Sequence, residues 1–296
     1  MSRTSAIVLI LLSALGFGSM AIFAKIAYAA GVSPSMLLVL RFALAVGMLA
    51  PLVWMRRVKL PRGPALAGFL LMGALYTAQS QSYFTALMYA SSGLVGLLLY
   101  VYPILVTVLA VTFGSERLDR RTLGLLIVAI AGMAVMLGGD LQGQPLGIAL
   151  GLLAAAIYAV YILLGSKVSE GVDPLAGTLV IMGAAALGNG GFALASGAAF
   201  PATLDAWLAI AAIALATTIA ISCFLVGIKH VGPSQASIIS TLEPVITLCL
   251  GVALLAETVS AGQLLGGAMV LGAVILLALR SQPPMPVAQH AEGAPT

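Results

Sequence analysis

The sequence predicts an all-α membrane protein of ten transmembrane helices, arranged as two inverted five-helix repeats. The composition, the length of the apolar blocks and an internal repeat lead to this reading. Of 296 residues, 61% are hydrophobic and 7% charged, against about 25% charged in an ordinary soluble domain. The apolar residues fall in blocks of about 20, enough for a helix rising about 1.5 Å per residue to cross roughly 30 Å of hydrocarbon. A membrane β-barrel would instead show segments of about ten alternating residues, and the uninterrupted runs argue against it.

Taken in order, the spans are 5–29, 35–55, 64–89, 93–114, 121–139, 145–167, 174–196, 204–229, 234–256 and 260–279. The first begins behind Arg3. It is too long for a signal h-region and contains Lys25, so Ala27-Tyr28-Ala29 is not read as a cleavage site. The breaks carry turn chemistry, among them "AGVSPS", "KLPRGP", "GSERLDRR", "SEGVDP" and "HVGPS". Pro34, Pro64, Pro145, Pro174 and Pro233 fall at helix starts, where a missing N–H is least costly. After Arg280 the tail 281–296, "SQPPMPVAQHAEGAPT", is expected to be disordered and cytoplasmic.

"GVSP" at 31–34 recurs as "GVDP" at 171–174, and with an offset of 141 Pro103 matches Pro244, Glu116 matches Glu257 and Thr77 matches Thr218. The chain is therefore read as repeats 1–139 and 140–280. Five is odd, so the second repeat enters the membrane in the opposite sense, a construction frequent in secondary transporters.

With the N-terminus inside, eleven of the 13 Lys and Arg residues fall on one face, two (Lys25 and Arg41) fall within spans and none falls on the other face. The positive-inside rule then makes both termini cytoplasmic. The net charge of +4 comes from short clusters between spans, so no nucleic-acid partner is implied. Cys223 and Cys249 lie in apolar blocks and read as packing residues, with no disulfide framework and no metal site.

Polar groups inside the spans are the functional signal. Glu243 stands about ten residues into the ninth span, roughly 15 Å deep. A charge at the bilayer centre costs about 2.5–3.5 kcal/mol, so the carboxyl must be neutral, paired or wet. Lys25 and Arg41 are the candidate cations, and each has the alternative of snorkelling along its aliphatic stem to the outer headgroups. Pro244 in the ninth span and Pro103 in the fourth lack an N–H for the carbonyls of Ser240 and Leu99. They are read as paired hinges, and matching interruptions in two repeats point to a binding site.

The expected lining comprises Gln79 and Tyr83 with Tyr76 and Ser80 on one face of the third span, Tyr100 beside Tyr102 on the fourth, Tyr158 and Tyr161 on the sixth, and Ser240, Thr241 and Glu243 on the ninth, with Arg41 from the second. Tyrosines near span ends also serve as interfacial belts. Tyr83 has that alternative reading. Gly143, Gly147, Gly151, Gly262 and Gly266 read as close helix packing. The fifth and tenth spans, with almost no polar residues, are expected at the periphery.

The stretches "GFGSMAIFAK" (16–25) followed by Pro34 and Arg41, "YPILVTVLAVTFGSE" (102–116) and "LEPVITLCLGVALLAE" (242–257) together resemble the EamA-type members of the drug/metabolite transporter superfamily. The resemblance covers nearly the whole chain except the tail. It implies ten helices in two inverted repeats and a bacterial inner-membrane carrier exporting amino acids or other metabolites. Within the family the sequence looks most like the YddG-type exporters of aromatic amino acids. It departs from repeat symmetry where Tyr102 stands opposite Glu243.

Enzyme classes find little purchase. The two histidines, His230 and His290, lie at a span boundary and in the tail, so neither a zinc motif nor a serine–histidine relay can be placed within the membrane. No phosphate-cradling P-loop is present, which excludes direct ATP use, and no cofactor is implied. The expectation is an alternating-access carrier of small molecules in the lipid bilayer, of open oligomeric state. A proton-coupled exporter of other specificity and a non-transporting sensor or scaffold are the alternatives.

Overall fold

The computed structural model describes residues 1–86, 88–90, 92–113, 119–137, 143–196, 200–255 and 258–279. The tail, Arg280 and the repeat pair Glu116 and Glu257 lie outside the described residues. Twelve helices occur among those described: α1 (Arg3–Ala29), α2 (Pro34–Met55), α3 (Gly63–Ala86), α4 (Ser92–Leu99), α5 (Tyr102–Thr112), α6 (Arg120–Leu137), α7 (Pro145–Val168), α8 (Pro174–Ala195), α9 (Leu204–Val231), α10 (Pro233–Ser240), α11 (Glu243–Leu255) and α12 (Ala261–Ala278). The described residues contain no strand, only an isolated bridge between Ala90 and Gly143.

Nine spans among the described residues are long and apolar enough to cross a membrane, with α4–α5 and α10–α11 each counted once. The tenth long helix, α3, is diluted by Thr77, Gln79, Ser80, Gln81 and Ser82. The chain is a multi-pass membrane protein.

Helix starts follow local chemistry. Ser2, Ser33, Asp173, Thr203 and Ser260 each accept a backbone N–H of the first turn, satisfying donors that have no partner within the helix. Pro34, Pro145, Pro174 and Pro233 begin α2, α7, α8 and α10. A single residue, Gly232 with φ 80°, joins α9 to α10, and a side chain there would strain the backbone.

The fourth and ninth spans are each interrupted for two residues ahead of their prolines, where a bend is expected. α4 stops at Leu99 and α5 starts at Tyr102; α10 stops at Ser240 and α11 starts at Glu243. Each break lies just before its proline, where the Leu99 and Ser240 carbonyls lose their usual donor. Tight i to i+3 bonds close the gap, from Val101 N to Leu98 O at 3.2 Å and from Leu242 N to Ile239 O at 3.1 Å.

The bundle is built from paired helices: α1 with α9, α3 with α7, α2 with α8 and α6 with α12. Small residues set the close approaches. A Cβ on Gly18 would meet the Glu243 carbonyl and Ile246, and one on Gly266 would meet the Gly132 backbone of α6. Gly143, Gly147 and Gly151 stand against Tyr89, Ala90, Leu94 and Leu98, as expected of packing glycines. Cys223 is half-buried and Cys249 exposed, both unbridged. The two broken spans pack on each other through α5 and α10, whereas α4 lies against α7 and α11 against α1. All eight residues of α10 are buried.

Candidate transport site

An aromatic ladder runs through the middle of the bundle. Phe42 meets Tyr76 edge-on at 5.4 Å, Tyr76 stacks on Tyr161 at 5.5 Å, Tyr161 stacks on Tyr158 at 5.8 Å and Tyr158 meets Tyr102 edge-on at 4.7 Å. Tyr100 follows at 6.2 Å from Tyr102. The ladder draws on α2, α3, α7 and the α4–α5 break, so four segments distant in sequence supply one surface. Offset and edge-on pairs of this kind add about 0.5–1.5 kcal/mol each beyond area burial.

Arg41 stands at one end. Its Nε donates to Thr217 Oγ1 at 2.8 Å and its Nη2 to the Tyr76 hydroxyl at 2.6 Å. The guanidinium carbon lies 4.7 Å from the Phe42 ring centroid and 5.7 Å from that of Tyr76. Thr217 in turn donates to the Ile213 carbonyl at 2.7 Å, which fixes the oxygen that receives Arg41. These bonds engage two of the five N–H donors of the guanidinium. Arg41 is half-buried and bonded within the bundle, whereas Lys25 is exposed.

Glu243 stands at the other end, at the first turn of α11. Its Oε1 is buried without a hydrogen-bond partner, although the side chain as a whole is only half-buried. Tyr100, Tyr102 and Tyr158 are the aromatic neighbours of Glu243. No ion pair joins it to Arg41. A central acid and a central cation are thus held apart by tyrosine rings.

The remaining expected residues fall around these poles. Tyr83 packs edge-on against Phe84 at 5.6 Å. Gln79 is buried on the same face of α3 as Tyr76. Ser240 is buried with its Oγ lacking a hydrogen-bond partner, and the Tyr102 hydroxyl donates instead to the Ser237 carbonyl at 3.4 Å. Thr241 is fully buried with its hydroxyl donating to the Ile238 carbonyl at 2.6 Å, so that group is spent on the helix break. Pro103 and Pro244 border the two breaks.

Tyr76 and Tyr102, expected in the lining, stand in the ladder, whereas sequence reasoning passed over Thr217. Thr217 is 176 residues from Arg41, and no local pattern marks it. Also passed over is a half-buried pair, in which Gln81 Nε2 donates to Asn189 Oδ1 at 3.1 Å between α3 and α8.

Broken apolar spans around a polar centre define a membrane transporter. The model of the EamA-like transporter family matches residues 4–138 and again 145–279. The chain belongs to that family. Among relatives, an uncharacterized transporter of Archaeoglobus fulgidus is 28% identical over 273 residues, covering 90% of this chain and 94% of its own. The uncharacterized inner membrane transporter YedA of Escherichia coli K12 is 27% identical over 252 residues, 83% of this chain and 82% of its own. The uncharacterized transporter YcbK of Bacillus subtilis is 26% identical over 281 residues, 88% of each chain. A solved crystal structure shares the fold with a TM-score of 0.83 at 23% identity, over 94% of this chain and 97% of that one.

Proposed function

We propose that the protein exports amino acids with aromatic or other apolar side chains across the inner membrane by alternating access, without ATP. The observation that carries this is the placement of Arg41 and Glu243 at opposite ends of the tyrosine ladder without an ion pair between them. A zwitterion with an apolar side chain matches it: the guanidinium suits a carboxylate, the Glu243 carboxylate an ammonium group and the rings the side chain. Arg41, Tyr83, Tyr100, Tyr158 and Glu243 each keep accessible surface at the centre of the bundle.

Alternating access is supported by the two broken spans. α5 and α10 close against each other at the Arg3 end, while α4 and α11 lie on different neighbours at the other. On the proposed topology, with ten spans in two inverted repeats, 1–139 and 140–280, and both termini cytoplasmic, the α5–α10 contact would close the cytoplasmic side. Rocking about the breaks at 100–101 and 241–242 would exchange which end is closed.

Proteoliposomes loaded with a mixture of labelled amino acids test the proposal. Tryptophan, phenylalanine and tyrosine should leave faster than glycine or aspartate, and an absence of specific flux would identify a sensor or scaffold instead. The unpartnered Oε1 of Glu243 favours a second reading, in which the carboxyl carries a proton in exchange for substrate. Flux would then follow an imposed pH gradient in the native protein and lose that response in Glu243→Gln; a uniporter or exchanger would show none in either.

A further inference from the structure

A groove lies away from the tyrosine ladder, at the end of the bundle where α2 stops. It has a volume of about 660 Å³ and is lined by Val53, Trp54, Arg57, Val58 and Leu60 with Leu179 of α8. We propose that this groove binds an anionic phospholipid, with an acyl chain in the apolar slot and the phosphate on Arg57. The inference is independent of what the tyrosine site carries.

The backbone builds the groove. Arg57 N donates to Trp54 O and Val58 N to Val53 O, both at 3.0 Å, the two bonds of a Schellman turn. The apolar pair that accompanies such a turn, Val53 and Val58, forms part of the groove wall. The left-handed position of the turn, usually glycine, is occupied here by Arg57 with φ 51°, the one non-glycine residue of positive φ among those described. A charged side chain is therefore held beside the slot in a conformation its own backbone disfavours.

The surroundings select a lipid over a soluble anion. Arg56, Arg57, Lys59 and Arg62 are all exposed, and no acid stands between 56 and 62. Trp54 is 81% exposed, Met55 73% and Leu60 51%, so the mouth of the groove is apolar as well as basic. That combination fits the boundary between headgroups and acyl chains, where basic pockets between helices take anionic lipids. A small soluble anion would make no use of the slot.

Native mass spectrometry of the full chain, offered equal amounts of phosphatidylglycerol and phosphatidylcholine with the same acyl chains, tests this. Phosphatidylglycerol should be retained preferentially. Arg57→Gly, which suits the turn and so preserves the fold, should weaken that retention about fivefold, the worth of one basic residue at an anionic surface. Leu179→Trp, which fills the slot, should weaken it with the charge intact, while Lys167→Ala elsewhere on the same end should not. Unchanged retention in Arg57→Gly, an equal loss in Lys167→Ala, or displacement of the lipid by glycerol phosphate would each overturn the proposal.

Discussion

Replacing Arg41 with alanine isolates the contribution of the cationic pole. The substitution removes the bonds to Thr217 at 2.8 Å and Tyr76 at 2.6 Å, and with them the cation above Phe42 and Tyr76. Thr217 keeps its bond to the Ile213 carbonyl, and the Tyr76 ring stays wedged between Phe42 and Tyr161, so the fold should survive. A substrate carboxylate would lose at least one charge-assisted hydrogen bond, worth about 1.5–3 kcal/mol. At about 1.4 kcal/mol per decade, binding should weaken on the order of 10- to 100-fold. The assay is competition against labelled tryptophan efflux by unlabelled tryptophan and by tryptamine, which lacks the carboxylate. Arg41→Ala should raise the inhibition constant of tryptophan and leave that of tryptamine within about twofold, because only the former presents the group Arg41 recognises. Equal losses for both compounds would sink the assignment and leave Arg41 a structural tie between α2, α3 and α9.

Three further outcomes follow from the same geometry. Pro244→Ala restores a donor for the Ser240 carbonyl and should let α10 and α11 run together, lowering the maximal transport rate with little change in KM; a rate equal to that of the native protein would argue against a hinge there. Gly266→Ala places a Cβ against the Gly132 backbone and should destabilise by about 1–3 kcal/mol in thermal unfolding, whereas Gly272→Ala, which meets nothing within 4 Å, should be neutral or stabilising. Lys25→Gln should leave the KM for amino acids unchanged, since Lys25 is exposed on α1; a KM change as large as that of Arg41→Ala would bring it into the site.

Apolar block length and turn chemistry were enough to place the helices, because bilayer thickness and the helical rise leave few ways to cross hydrocarbon. The same reasoning located both breaks, since a proline removes a specific donor from a specific carbonyl. The faces of the helices were harder to read. In a membrane the outward face is as apolar as the packed one, so sequence periodicity says little about which side turns inward. The buried Tyr76 and Gln79 stood out because polar residues are rare enough there to be informative.

Length, composition and the position of Glu243 beside Pro244 by themselves determined a helical membrane protein with an acid near the point where a span breaks. Only the tertiary structure decided that Arg41 is bonded within the bundle while Lys25 is exposed, that Tyr102 joins Tyr158 and Tyr161, and that Thr217 orients the guanidinium. Both cations lie within apolar spans, and the difference lies in partners brought from across the chain. Thr217 arrives with α9 and Tyr76 with α3; a hydrogen bond between residues so distant in sequence is set by how the helices pack, and no local pattern encodes it.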